Sequence, residues 1–176
     1  MRRRMKHILG ILLSLSLCCS MSLFSSCSAD PTGAQTTDAD DTKQIIAVSA
    51  TQAASQLLAA GNWSEEMIPL KDSRIISVYG VNEADFSTCA AYCSPSGAYA
   101  EELAVFIAKD AQSAQNIEAV LAAYRTEQSA YWKDYRADQA TKIENALLRR
   151  YGNAVIFCAC ENTAPLSSVI DHGFVS

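Results

Sequence analysis

The chain has 176 residues, with 14 Lys and Arg against 19 Asp and Glu and only two His. A net charge of −5 leaves no cationic surplus for neutralising phosphates, which argues against binding nucleic acid or an anionic lipid surface through a basic patch. The length is one domain's worth, with enough chain for a real core.

The first element is a leader. Arg2, Arg3, Arg4 and Lys6 precede an apolar run from Ile8 to Phe24, and small residues then lead to a cysteine: Leu23-Phe24-Ser25-Ser26-Cys27. A basic head, an apolar core and small residues before the cut form a secretory signal. The cysteine after the small pair resembles the lipobox of bacterial lipoproteins, although Phe24 stands where Leu is usual. The alternative is an uncleaved anchor helix, but Ser14, Ser16, Ser20 and Ser22 interrupt the run, which falls short of the roughly 20 residues a span needs. Cys18 and Cys19 are weaker lipid acceptors because bulky Leu17 precedes them. The expectation is a signal peptide over residues 1–26, lipid on Cys27, and a protein held on the outer face of the cell membrane. Two acyl chains on one cysteine suffice for stable anchoring.

Cleavage would remove four basic residues and leave 10 Lys and Arg against 19 Asp and Glu, a net charge of about −9. Residues 28–43 carry four Asp and no large apolar side chain, so 27–43 reads as the lipidated cysteine and a solvated tether. A single globular domain is expected over 44–176.

Within that domain, Ser49 and Gln52 form a capping-box pattern. Ala50, Ala53, Ala54, Leu57 and Leu58 follow at helical spacing until Gly61. A short helix is expected from Asp72 to Gly80, burying Ile75, Ile76 and Tyr79. Phe86–Ser94 alternates, with Phe86, Thr88, Ala90 and Tyr92 on one face and Ser87, Cys89, Ala91 and Cys93 on the other. Ser94-Pro95-Ser96-Gly97 is a turn, and Leu103–Ala108 a buried strand that completes a hairpin. Asp110 caps a long helix whose stripe of Ala114, Ile117, Leu121, Tyr124 and Gln128 continues to Tyr131, Trp132 and Tyr135. A shorter helix spans Ala137–Asn145. Leu147–Tyr151 and Ala154–Cys160 flank Gly152-Asn153, a two-residue hairpin signal. Thr163 is placed to cap a last helix through Ile170. The fold class is α+β: an antiparallel sheet of about four strands, as two hairpins, with helices packed on one face.

Several stretches together carry a family likeness: Tyr79-Gly80-Val81, Ser94-Pro95-Ser96-Gly97, Glu101–Phe106, Ala108-Lys109-Asp110, Ile143–Ala146 and Tyr151-Gly152-Asn153. In this order they resemble an uncharacterised lipoprotein family of anaerobic Gram-positive bacteria, known as domain of unknown function 4358, over about Ala47 to Cys160. The resemblance implies no catalytic or binding residues. It carries an association with membrane acyltransferases that decorate envelope polymers.

The reactive groups of the domain are few. Cys89 and Cys93 share one strand face, as do Cys158 and Cys160. Cross-strand disulfides, a four-thiolate metal site and buried free thiols are all readable from them. Placing Leu103–Ala108 centrally separates the two pairs and predicts four reduced thiols, with no metal or other cofactor. His172, beside Asp171, reads as a helix C-terminal residue favoured by the dipole rather than part of a relay. Glu65-Glu66 and Glu101-Glu102 read as solvated surface, since adjacent carboxylates diverge, and Arg149-Arg150 as exposed strand charges. Tyr131, Trp132 and Tyr135 fit a core stripe, or a surface that stacks on a ligand.

The functional expectation is a non-enzymatic, lipid-anchored module that binds or scaffolds an envelope protein or polymer. An enzyme or enzyme accessory in envelope polymer modification is the alternative, and a thiol-redox lipoprotein using Cys89 and Cys93 the third reading. The expected partners are the membrane, through the lipid on Cys27, and an unidentified envelope component, with no nucleic acid.

Overall fold

The computed structural model describes residues 48–175; the signal, Cys27 and the tether lie outside them. The elements are α1 (Ala50–Ala60), β1 (Ile68–Pro69), α2 (Asp72–Tyr79), β2 (Phe86–Cys93), β3 (Glu102–Ala108), α3 (Ala111–Tyr135), α4 (Ala137–Glu144), β4 (Leu147–Tyr151), β5 (Ala154–Ala159) and α5 (Ala164–His172). A short 3-10 turn, Glu83–Asp85, leads into β2. The five strands form one antiparallel sheet in the order β1-β2-β3-β5-β4. The fold class is α+β, with β1 added as a two-residue edge strand.

The caps follow the local sequence. Ser49 Oγ accepts from Gln52 N at 3.2 Å while Gln52 Oε1 accepts from Ser49 N at 2.9 Å, a reciprocal capping box. Asp110 accepts from Ser113 N at 2.7 Å and starts α3. At α5 the expected cap is displaced by one residue: Asn162 Oδ1, not Thr163, accepts from Ala164 N at 3.0 Å. Gly80 ends α2 in the left-handed conformation, φ +69°, which only glycine adopts without strain.

Helices cover both faces of the sheet, not one. Every residue of β3 and of β5 is buried. Phe106, Ala104, Val155 and Phe157 pack with Ile75, Ile117, Leu121 and Ile143, from α2, α3 and α4. Leu103, Val105, Ile156 and Cys158 pack with Ala53, Ala54, Leu57, Leu166 and Ile170, from α1 and α5. The physical reason was present in the chain: an unbroken apolar run, rather than an alternating one, is the mark of a strand buried on both sides.

A bulge corrects the alternation expected for β2. Phe86 pairs with Ala108 and Thr88 with Ile107, leaving Ser87 as the extra residue. Phe86 therefore joins Ala91 and Cys89 in the first core, while Thr88 accepts from Ala50 N at 3.4 Å on the α1 side. Cys89 and Cys93 thus face α2 and α3, and Cys158 and Cys160 face α1 and α5. The two thiol pairs sit on opposite faces, with β3 between their strands.

Candidate functional site

Glu102 opens β3 directly before its apolar run and is 9% exposed, where a surface position was expected. Two tyrosines hold it. Tyr79, from the last position of α2, and Tyr124, from the middle of α3, each donate to Glu102 Oε2 at 2.9 Å. Their rings lie 4.8 Å apart, and Tyr124 meets Phe157 edge-on at 5.7 Å, so the aromatic core fixes both hydroxyls. A buried tyrosine hydroxyl needs a partner, and this carboxyl is shared by both.

Glu102 Oε1 has a different fate. Among the described residues no donor reaches it, and no fully buried side-chain oxygen lacks a partner. Oε1 is therefore the oxygen that touches the adjoining groove. The groove has a volume of about 210 Å³. Leu70, Arg74 and Val78 form one wall, Tyr124, Gln128 and Trp132 another, and Cys93, Tyr99 and Glu101 the floor and end.

Burial pushes the Glu102 carboxyl up to about 7, against the opposing pull of the Tyr124 and Tyr79 hydroxyls. Burial, then the Glu102 charge, pushes both tyrosines above their ordinary range. Burial and Glu102 likewise raise the Cys93 thiol. Tyr79, Tyr124 and Cys93, the three groups that face Glu102, are thereby held neutral at physiological pH.

The 94–101 connection that closes the groove is fastened from three sides. Glu65, expected to be solvated, accepts from Ser94 Oγ, from Ser96 N at 3.1 Å and from Ser96 Oγ at 2.7 Å. Arg136 donates to Ala98 O at 2.9 Å, and Gln139 Oε1 accepts from Ala100 N at 3.3 Å. Glu101 is also buried, at 2% exposure. Its carboxylate pairs with Lys142 Nζ at 2.8 Å and accepts from Ser64 N at 2.7 Å and Ser64 Oγ at 2.6 Å. Lys142 Nζ also lies 5.5 Å from the centre of the Tyr99 ring.

The expected aromatic stripe divides. Tyr124 enters the core and Trp132 packs against it at the groove wall. Tyr131 and Tyr135 are 58% and 59% exposed, stacked on each other with centroids 6.0 Å apart and edge-on to Trp132. The last two tyrosines of α3 therefore stand in solvent, while Tyr124 and Trp132 pack inward.

The thiols form no common site. Cys89 and Cys93 are four residues apart on one strand, about 13 Å, too far to bridge each other. Burial, followed by nearby carboxylates, raises the Cys89 thiol to about 11. Cys158 Sγ donates to Cys160 Sγ at 3.9 Å, raising Cys158 and lowering Cys160. Among the described residues no three His, Cys, Asp or Glu converge at metal-holding distance. His172 Nδ1 lies 2.6 Å from Ser168 O in the last turn of α5, and Arg149 pairs with Asp171 at 2.6 Å; the two C-terminal residues form no relay.

A larger recess of about 580 Å³ lies between Ser49, Asp72, Glu83, Thr88 and Lys109. Lys109 there is committed to the Ala84 and Glu83 carbonyls at 2.8 and 3.4 Å, and no buried charge faces the space.

The residues missed from the sequence form two neighbouring polar groups, Glu102 with Tyr79 and Tyr124, and Glu101 with Lys142. The available signal was an acidic pair abutting a buried strand, in a chain whose helices bury two tyrosines.

No curated protein and no solved structure matches the chain. A family model described as a domain of unknown function (DUF4358) matches residues 59–160, a span containing β1 to β5 and the whole groove. By that match the chain belongs to the DUF4358 family.

Proposed function

We propose that the protein is a lipid-anchored module of the outer face of the cell membrane that binds or scaffolds another envelope component, protein or polymer, through the Glu102 groove. Attachment is through lipid on Cys27, with residues 27–43 as the tether and no cofactor needed. The reading extends to the setting of an anaerobic Gram-positive envelope, in which reduced thiols are stable. One observation carries the binding role: a small groove, walled in part by aromatic rings, ending on a buried carboxyl oxygen that no donor among the described residues reaches. Such a combination of apolar walls and one placed polar group is the usual composition of a ligand site. The neutral Cys93 thiol and tyrosine hydroxyls argue for holding a ligand over attacking it, since nucleophiles act as their anions.

A second reading has its own support. A carboxyl that titrates near 7 and touches a groove is suited to general acid–base work, which favours an enzyme or enzyme accessory in envelope polymer modification. The thiol-redox reading is disfavoured by the separation of Cys89 from Cys93 and by their raised thiols.

Crosslinking in cells, followed by identification of what copurifies, tests the binding role. Wild type should retain an envelope component that Trp132→Ala loses, and Cys27→Ala should lose lipid labelling. A captured component that the purified protein chemically alters would establish the second reading instead.

A further inference from the structure

We infer that the groove receives an ammonium group, a protonated amine carried by the ligand and seated between Glu102 Oε1 and the rings of Tyr124 and Trp132. The inference rests on the groove being a ligand site and names the chemistry it selects.

Two consecutive glutamates supply the contrast. Glu101 and Glu102 are both at least nine-tenths buried. Glu101 has a cation built into the fold, Lys142 at 2.8 Å, as well as two donors from Ser64. Glu102 has only neutral donors, and both reach the same oxygen. Among the described residues no Lys, Arg or His nitrogen lies within ion-pair distance of it. Arg74, on the groove rim, is exposed and makes no such pair. A buried carboxylate is costly unless a counter-charge meets it; Lys142 meets that need for Glu101, and no described residue meets it for Glu102. An ammonium entering the groove would be the missing partner, in hydrogen-bond contact with the oxygen that has none.

The walls fit the same guest. Aromatic faces attract cations and accept the apolar carbon next to the charge, and Tyr124 and Trp132 line the groove together with Leu70 and Val78. A volume of about 210 Å³ is below the range for drug-sized ligands and suits one end group rather than a whole molecule. The acidic excess of the chain, 19 carboxylates against 14 cationic side chains, favours the approach of a cation.

The test uses full-length protein in detergent, with selective ¹³C labelling of Glu side-chain carboxyls and titration by n-butylammonium and, separately, its neutral isostere n-butanol. n-Butylammonium should shift the Glu102 signal and bind roughly tenfold or more tighter than n-butanol. Glu102→Gln should abolish the preference when binding is followed at the Trp indole signals. Trp132→Ala, at a partly buried wall position, should weaken n-butylammonium and leave the Glu102 signal less responsive, with Glu102→Gln as the independent variant. Equal binding of both probes overturns the ammonium inference while leaving the groove as a ligand site. No response of Glu102 to n-butylammonium overturns it outright, and the groove itself is judged separately by crosslinking.

Discussion

The Glu101 carboxylate lies 2.8 Å from the Lys142 ammonium, with 0% and 9% of the two side chains exposed. This pair ties the start of β3 to α4 and, through Ser64, to the segment before β1. Removing one partner of a buried pair leaves the other charge without compensation. Lys142→Met is therefore expected to destabilise the domain by about 3–5 kcal/mol, a large part of an ordinary domain's total. The double variant Glu101→Gln/Lys142→Met should recover much of that loss. Urea unfolding of the two variants against wild type checks both statements.

Glu102 makes stability depend on pH in the opposite sense to an ordinary paired carboxylate. Its carboxyl is raised from 4.5 to about 7 by burial, so the folded state favours the protonated form. Its contribution is fully present below about pH 4.5 and is lost as pH rises through about 7, a loss on the order of 3 kcal/mol. Tyr79, Tyr124 and Cys93, which face it from α2, α3 and β2, are all raised and stay neutral across that window. Glu102→Gln keeps an acceptor for both hydroxyls and should remove this slope, overtaking wild type in stability above pH 7. Parallel unfolding curves for the two proteins from pH 4.5 to 8 would contradict the assignment.

The placement of the thiols predicts their chemistry. Strands β2 and β5 are separated by β3, roughly 9 Å between backbones, and their cysteines face opposite sides of the sheet. Alkylation of unfolded, never-reduced protein should modify all four of Cys89, Cys93, Cys158 and Cys160, and intact mass should show no zinc. In the folded protein, Cys89 and Cys93 should react slowly at neutral pH, since their thiols are raised and the thiolate is the reactive form.

Much of the fold was legible because local signals agreed with it. The Ser49 box, the Asp110 cap, the Gly152-Asn153 tip and the buried run from Leu103 to Ala108 each stand where the residues indicated. The family likeness, expected over about Ala47 to Cys160, corresponds to a match over 59–160. What failed depended on partners distant in sequence. The bulge at Ser87 is invisible to a two-residue period, so the face of Phe86 was misassigned. Glu101 and Glu102 looked like surface because glutamate usually is. Their burial depends on Lys142, Tyr79 and Tyr124, which lie 41, 23 and 22 residues away. The aromatic stripe of α3 continued to Tyr131 and Tyr135 by spacing, but both are exposed, because spacing along one helix does not show what packs against each turn.

The Glu102 groove is proposed as the surface through which the protein meets an envelope component. The most direct measurement is site-specific photo-crosslinking in living cells, with the photoreactive residue at Gln128 in the groove wall or at Ser55, exposed on α1 on the other side of the sheet. The account predicts a discrete crosslinked envelope component from position 128 that is absent from position 55 and suppressed by Trp132→Ala. Equal products from both positions, or a product from position 55 alone, would contradict it.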